Sequence, residues 1–137
     1  MSDIERSFVN ILYTSSWLSK LQLEILKPYK ISMQQFNVLR ILKGQHPEPA
    51  SVNTLAERMI DKNSNASRIV EKLRAKGLVL RTTCPIDRRK VDVAITNAGI
   101  ELLEQCNKVV AEVQAKNDKL STTEHQELNL LLNKLRS

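Results

Sequence analysis

Between residues 64 and 95 the spacing of apolar side chains changes once, and that change restricts the chain to few folds. Ala66, Ile69, Val70 and Leu73 recur at intervals of three and four, forming one stripe of an amphipathic helix. Ser64, Arg68, Glu71, Lys72 and Ala75 point the other way. Gly77 is the natural stop, because glycine accepts the left-handed backbone that ends many helices. The period then drops to two. Leu78–Thr83 reads as a strand, and Val91, Val93 and Ile95 alternate with Asp92 and Ala94 as a half-buried second strand. Between them Cys84-Pro85-Ile86-Asp87-Arg88-Arg89-Lys90 forms a basic hairpin loop. Upstream, Ser51 can cap a short helix of about two turns carrying Val52, Leu55, Ala56 and Met59. The polar break Asp61-Lys62-Asn63-Ser64 separates it from the next helix, expected from about Ser64 to Lys76.

The flanks are helical. Ile4, Phe8, Ile11, Leu12, Leu18, Leu21 and Ile25 predict an amphipathic helix over 3–27, stopped by Pro28. Ser32-x-x-Gln35 is a capping box, and Phe36, Leu39, Ile41 and Leu42 predict a helix ending near Gly44. Gln45–Pro49 is a loop, since its two prolines remove donors and restrict their neighbours. Thr96 caps a long helix to about Lys119, with Ile100, Leu103, Cys106, Val110 and Val113 near heptad spacing. Ser121-x-x-Glu124 is another capping box, opening a last helix with Leu128, Leu131, Leu132 and Leu135.

Short helix, polar turn, helix and two-stranded hairpin make a winged helix-turn-helix. The expected fold is therefore mainly α, with a two-stranded β-hairpin wing and long terminal helices. The expected organisation is an N-terminal helical segment (1–30), a winged helix-turn-helix domain (31–96) and C-terminal helices (97–137). The terminal helices carry apolar stripes with little core of one chain left to cover them.

Charge follows the same division. The net charge is +6, but residues 51–90 hold ten basic and four acidic groups and carry all of it. Residues 1–50 are at +2 and residues 91–137 at −2. A basic segment on these elements points to nucleic acid, with a merely solvated charged surface as the bland alternative. A duplex major groove admits one helix, and an arginine-bearing hairpin tip can reach an adjacent minor groove.

The run Asn65–Val79 resembles the recognition helix and first wing strand of MarR-type transcriptional regulators. Asp87–Gly99 fits that family's wing signature D-x-R-x-x-x-V-x-L-T-x-x-G, with Ile95 where Leu is usual and Lys90 where a small residue is common. The resemblance implies a homodimer: 1–30 is then the N-terminal dimerisation helix and 97–137 the C-terminal dimerisation helices, interlocked between subunits, and two winged DNA-binding domains (31–96) are presented to a pseudo-palindromic duplex. It implies a sequence-specific double-stranded DNA-binding regulator, most often a repressor. The alternative is a winged-helix protein-interaction module without DNA binding; Arg68, Arg88, Arg89 and Lys90 argue against it.

Roles follow residue by residue. Arg68 suits guanine, Asn65 adenine, and Ser64 and Ser67 phosphates or either base; capping is the alternative for Ser64 and Asn65. Lys72 and Lys62 suit phosphates, and Glu71 can pair with Arg68 at i,i+3. Ser32 to Gln34 can offer backbone amides to a phosphate, with plain capping as the alternative. Arg88, Arg89 and Lys90 lie at the wing tip, and the resemblance makes Arg89 the minor-groove residue. By the same resemblance Asp87 would orient the wing arginine through an ion pair; the alternative is an Asx-turn. Many relatives release DNA when a small, often anionic aromatic effector binds between dimer helices and winged domain. Tyr13, Trp17, Phe36 and Arg40 are the candidate lining residues, with core packing as the alternative for each.

Several function classes are disfavoured. No catalytic constellation appears, so an enzyme is not expected. His46 and His125 lack ligand spacing, so neither metal nor cofactor is expected. No apolar run approaches the ~18–20 residues that span a bilayer, so no membrane partner is expected. Met1–Glu5 lacks the basic start of a signal peptide, and two cysteines are too few for a disulfide scaffold. The expected location is the cytoplasm, with Cys84 an ordinary loop cysteine rather than a reactive thiol.

Overall fold

Six short polar side chains start the six α-helices. Ser2, Ser32, Ser51, Asn65, Thr96 and Ser121 each stand in extended backbone and accept an amide from the first turn. Each satisfies one of the four amides that a helix start leaves unpaired. The capping boxes expected at Ser32 and Ser121 form. Ser32 Oγ accepts the Gln35 amide at 3.0 Å while Gln35 Oε1 accepts the Ser32 amide at 3.2 Å. Ser121 and Glu124 do the same at 3.1 and 3.0 Å.

The computed structural model describes residues 1–137. The order is α1 (Asp3–Leu26), α2 (Met33–Gln45), β1 (Ala50–Ser51), α3 (Val52–Arg58), α4 (Ala66–Ala75), β2 (Val79–Thr83), β3 (Val91–Ile95), α5 (Asn97–Asn117) and α6 (Thr122–Arg136). Pro28 does end α1, within a tight 3-10 turn over Lys27–Tyr29. Two boundaries differ from expectation. Helix α4 starts at Ala66 because Asn65, not Ser64, captures the Arg68 amide, at 3.1 Å. Helix α5 stops at Asn117 because Asp118 turns extended and its carboxylate accepts the Leu120 amide at 3.0 Å.

The sheet has three antiparallel strands, in the order β1-β3-β2, where two were expected. The hairpin pairs Val79 with Ile95 through Thr83 with Val91, as the alternation required. The extra strand pairs Ala50 with Val93 and Ser51 with Asp92. Two residues after Pro49, the second of them the α3 cap, are too few to show an alternating pattern.

The core lies between α2, α3, α4, the sheet and the first half of α5. Phe36, Leu39, Leu42, Leu55, Met59, Val70, Leu73, Val79, Val93, Leu103 and Cys106 are all at most 1% exposed. Of α1 only Leu26 is buried, and of α6 nothing is. Ile4, Phe8, Leu12, Trp17, Leu128, Leu131 and Leu135 therefore stand exposed.

The wing signature is a packing lock between α4, the sheet and α5. Gly77 takes φ +73° and turns the chain from α4 into β2. Thr96 Oγ1 donates to the Gly77 carbonyl at 2.8 Å and accepts the Gly99 amide at 3.1 Å. The Thr96 amide donates to the Leu78 carbonyl at 3.1 Å. A Cβ on Gly99 would fall 2.3 Å from that carbonyl oxygen and 2.8 Å from Ile95 Cγ1, so position 99 has no room for a side chain.

Candidate nucleic-acid interface

Helix α4 buries Ala66, Val70 and Leu73 and half-buries Ile69, which fixes the face it turns outward. Ser67, Arg68 and Lys72 are exposed on that face. A cleft of about 440 Å³ separates α4 from the start of α2. Ser32 and Gln34 line one wall; Ser64, Asn65, Arg68 and Lys72 line the other. Six residues chosen from sequence thus meet at one place. Lys62 does not join them: its ammonium donates to the Glu57 carbonyl, within the turn that follows α3.

The capping alternatives separate here. Asn65 Oδ1 is engaged by the Arg68 amide, so its free recognition group is the amide NH2. Ser64 caps nothing; its Oγ is buried without a hydrogen-bond partner beside the cleft. Ser32 Oγ is engaged in its capping box. The thirteen-residue helix it opens still directs its N-terminal dipole at the cleft.

Glu71 does not pair with Arg68, contrary to the i,i+3 expectation. Its carboxylate takes Arg74 at 2.6 and 3.0 Å and Arg81 of β2 at 3.2 Å. Arg74 of α4 and Arg81 of β2 thus converge on one carboxylate. The Arg74 hydrogen bonds hold the Glu71 carboxyl below its ordinary range against the opposing effect of desolvation, helped by the charges of Arg74 and Arg81. The same pairing pushes the Arg74 guanidinium up. Lys76 is engaged too, donating to the Lys30 carbonyl and to Gln35 Oε1. Arg68 and Lys72 have no acidic partner within ion-pair distance.

The wing tip is a tight turn. The Cys84 amide donates to the Lys90 carbonyl, and the Lys90 amide to the Asp87 carbonyl, each at 3.0 Å. Asp87 Oδ1 accepts the Arg89 amide at 3.0 Å, which is an Asx-turn. It makes no ion pair with Arg88 or Arg89, so the Asx-turn replaces the expected orienting ion pair. The nearest donor to the carboxylate is the backbone two residues on. Arg88, Arg89 and Lys90 project exposed from the turn.

The four effector candidates do not share one cavity. Phe36 and Arg40 line a cavity of about 360 Å³ between α1, α2 and the end of α3. Phe36 is itself a core residue at 1% exposure, and Arg40 stacks 5.6 Å from its ring centre. Trp17 lines a different, more apolar cavity of about 650 Å³ between α1, the end of α5 and α6. Tyr13 stands 76% exposed on α1. Sequence reasoning missed Ser15, Ser19 and Gln22, which line the Arg40 cavity. Their spacing of four and three was a signal: it marks a polar stripe on an otherwise amphipathic helix.

Residues 31–91 match the family model described as the MarR family. A MarR transcription factor from Planctomyces limnophilus is 30% identical, with a TM-score of 0.67, over 97% of this chain and 97% of that one. This chain belongs to the MarR family. Its MarR fold also matches a cysteine-to-serine variant of E. coli MarR, crystallised with operator DNA. That protein is 25% identical, with a TM-score of 0.76, over 98% of this chain and 99% of the other. The HTH-type transcriptional repressor IacR of Pseudomonas putida is 29% identical over 109 residues, 79% of this chain. This MarR-family chain spans only 64% of IacR's length. No helix is long and apolar enough to cross a membrane.

Proposed function

We propose that this chain is a sequence-specific, double-stranded DNA-binding transcriptional regulator that acts as a homodimer and represses. The observation that carries the reading is the α4 face. Arg68 and Lys72 are exposed and unpaired by any acid, beside an α2 N-terminus and upstream of a wing tip with three exposed cations. Arg68 is the candidate for guanine, and Ser67 and the Asn65 amide for neighbouring base edges. Lys72, with Ser64 in the cleft and the Ser32–Gln34 amides, suits a phosphate there. Lys62 would have to leave the Glu57 carbonyl to do the same. Arg89, flanked by Arg88 and Lys90, is the minor-groove candidate, on a turn held by Asp87.

The dimer reading rests on the uncovered apolar faces of α1 and α6, which the terminal segments 1–30 and 97–137 would bury against a second copy. A two-fold pair would place its recognition helices about 34–36 Å apart, one duplex turn. The operator complex of the E. coli relative supports the duplex as partner, and IacR's description supports repression. For an effector, the Arg40 cavity offers a guanidinium and the Ser15 and Ser19 hydroxyls beside the Asp61 carboxylate, and the Trp17 cavity offers an apolar wall for an aromatic molecule. The reading involves no catalytic step and places the chain in the cytoplasm with its DNA.

The test is fluorescence anisotropy against duplex DNA from the region upstream of its own gene, between ~50 and ~200 mM salt. Binding should weaken steeply with salt. Salt-independent binding, or no binding to any duplex, rejects the proposal and favours the protein-interaction alternative.

A further inference from the structure

The recognition helix carries one acid on its exposed side, and that acid holds two arginines from different elements. Glu71 accepts Arg74 from its own helix through a two-pronged contact at 2.6 and 3.0 Å. Its Oε2 also accepts Arg81 from β2 at 3.2 Å. All three side chains are about half exposed. Solvent-screened pairs of this kind contribute little to stability. Stability is therefore a weak account of the arrangement; what it sets is which cations are left free.

Residues 62–81 carry six cations. Lys62 and Lys76 are engaged by backbone carbonyls, and Arg74 and Arg81 by Glu71. Arg68 and Lys72 alone in this segment are left without a hydrogen bond or ion pair. The low-lying Glu71 carboxyl stays ionised near neutral pH, so the clasp is in place there.

The geometry points to Glu71 as an affinity-limiting residue of the DNA interface: its carboxylate withholds the Arg74 and Arg81 guanidinium groups from the phosphate backbone. The inference rests on the DNA-binding reading above. Phosphate contacts strengthen binding to every sequence alike and carry no base information. A regulator competes against a vast excess of non-specific sites, so a limit on sequence-independent affinity keeps it available for its own site.

The experiment measures binding to a random-sequence duplex across ~50–200 mM salt, for which no operator need be known. Each added phosphate contact steepens the logarithmic salt slope by about 0.9, or about eight-fold in affinity at 0.1 M salt. Glu71→Gln should steepen the slope by about one to two units and tighten binding correspondingly. Adding Arg74→Gln and Arg81→Gln to that variant should return the slope to the wild-type value. With Glu71 intact, Arg74→Gln plus Arg81→Gln should leave the slope unchanged. Glu71→Ala should steepen the slope likewise, and it carries the test should Glu71→Gln fail to fold. An unchanged or shallower slope for Glu71→Gln overturns the inference. So does a shallower slope for the arginine pair with Glu71 intact, since the arginines would then already touch phosphates. If the wild-type protein binds no duplex at any salt, the DNA-binding reading itself fails.

Discussion

Gly99→Ala should destabilise the chain although alanine is the better helix former. The added Cβ would lie 2.3 Å from the Leu78 carbonyl oxygen, about 1 Å inside ordinary van der Waals contact, and 2.8 Å from Ile95 Cγ1. The first obstacle is backbone and cannot rotate away. It is also the acceptor of the Thr96 amide, while the Thr96 hydroxyl ties Gly77 to Gly99. Relieving the clash therefore means drawing the start of α5 off the α4–β2 turn. Overpacking costs about 1–3 kcal/mol, and each strained hydrogen bond about 1 kcal/mol more. Replacing helical Gly by Ala returns about 1 kcal/mol. The net expectation is a loss of about 2–3 kcal/mol, or a melting temperature lower by roughly 7–10 °C for a chain of this size. Circular dichroism melts and urea titrations at one fixed protomer concentration measure it, because a dimer's melting point moves with concentration. Equal or higher stability for Gly99→Ala would refute the packing lock and leave helix propensity as the controlling factor.

Other outcomes follow from single contacts. Arg68→Ala should cost about 1–3 kcal/mol in binding a selected site and relax preference at one base pair, whereas equal losses on all sequences would make it a phosphate contact. Arg89→Ala should weaken the same binding with the melting temperature unchanged; unaltered affinity would remove the wing from the interface. Burial pushes the Cys106 thiol up, and it is fully enclosed while Cys84 is partly exposed. Iodoacetamide should therefore label the folded protein at Cys84 alone, and labelling of Cys106 at a similar rate would contradict the core packing. The Asp118 carboxyl is held low, first by the Leu120 amide and then by His125 at 2.7 Å. A lowered native value stabilises above the unfolded value and is lost as pH falls through the native one. Asp118→Asn should flatten the acid limb of stability below about pH 4, and an unchanged limb would show that the α5–α6 corner does not contribute.

What could be read from sequence was local. Ser32, Ser51, Thr96 and Ser121 announce helix starts because a cap and its amide lie within three residues of one another. The hairpin register follows because a one-residue slip would expose Val93 and Ile95. Contacts made across the fold were harder to see. Spacing cannot choose between Arg68 and Arg74, each three residues from Glu71, and Arg81 reaches the same carboxylate only after β2 has folded back. Strand β1 needs β3 to exist at all. Asp87 satisfies a backbone amide before a side chain, a choice that composition does not show. The cleft residues were identified singly from both sides, yet that Ser32 and Gln34 face Arg68 and Lys72 is visible only in three dimensions. The effector candidates fared differently: helix spacing marked Trp17 and Phe36 as apolar but could not say that they border separate cavities.

The central claim is that two copies of one basic winged module read a duplex together. Selection of bound duplexes from a random-sequence library, followed by sequencing, tests it most directly. The account predicts enrichment of an inverted repeat with half-site centres about 10–10.5 base pairs apart, lost when Arg68 is replaced by Ala. No enriched sequence, or an enriched site without two-fold symmetry, would contradict it.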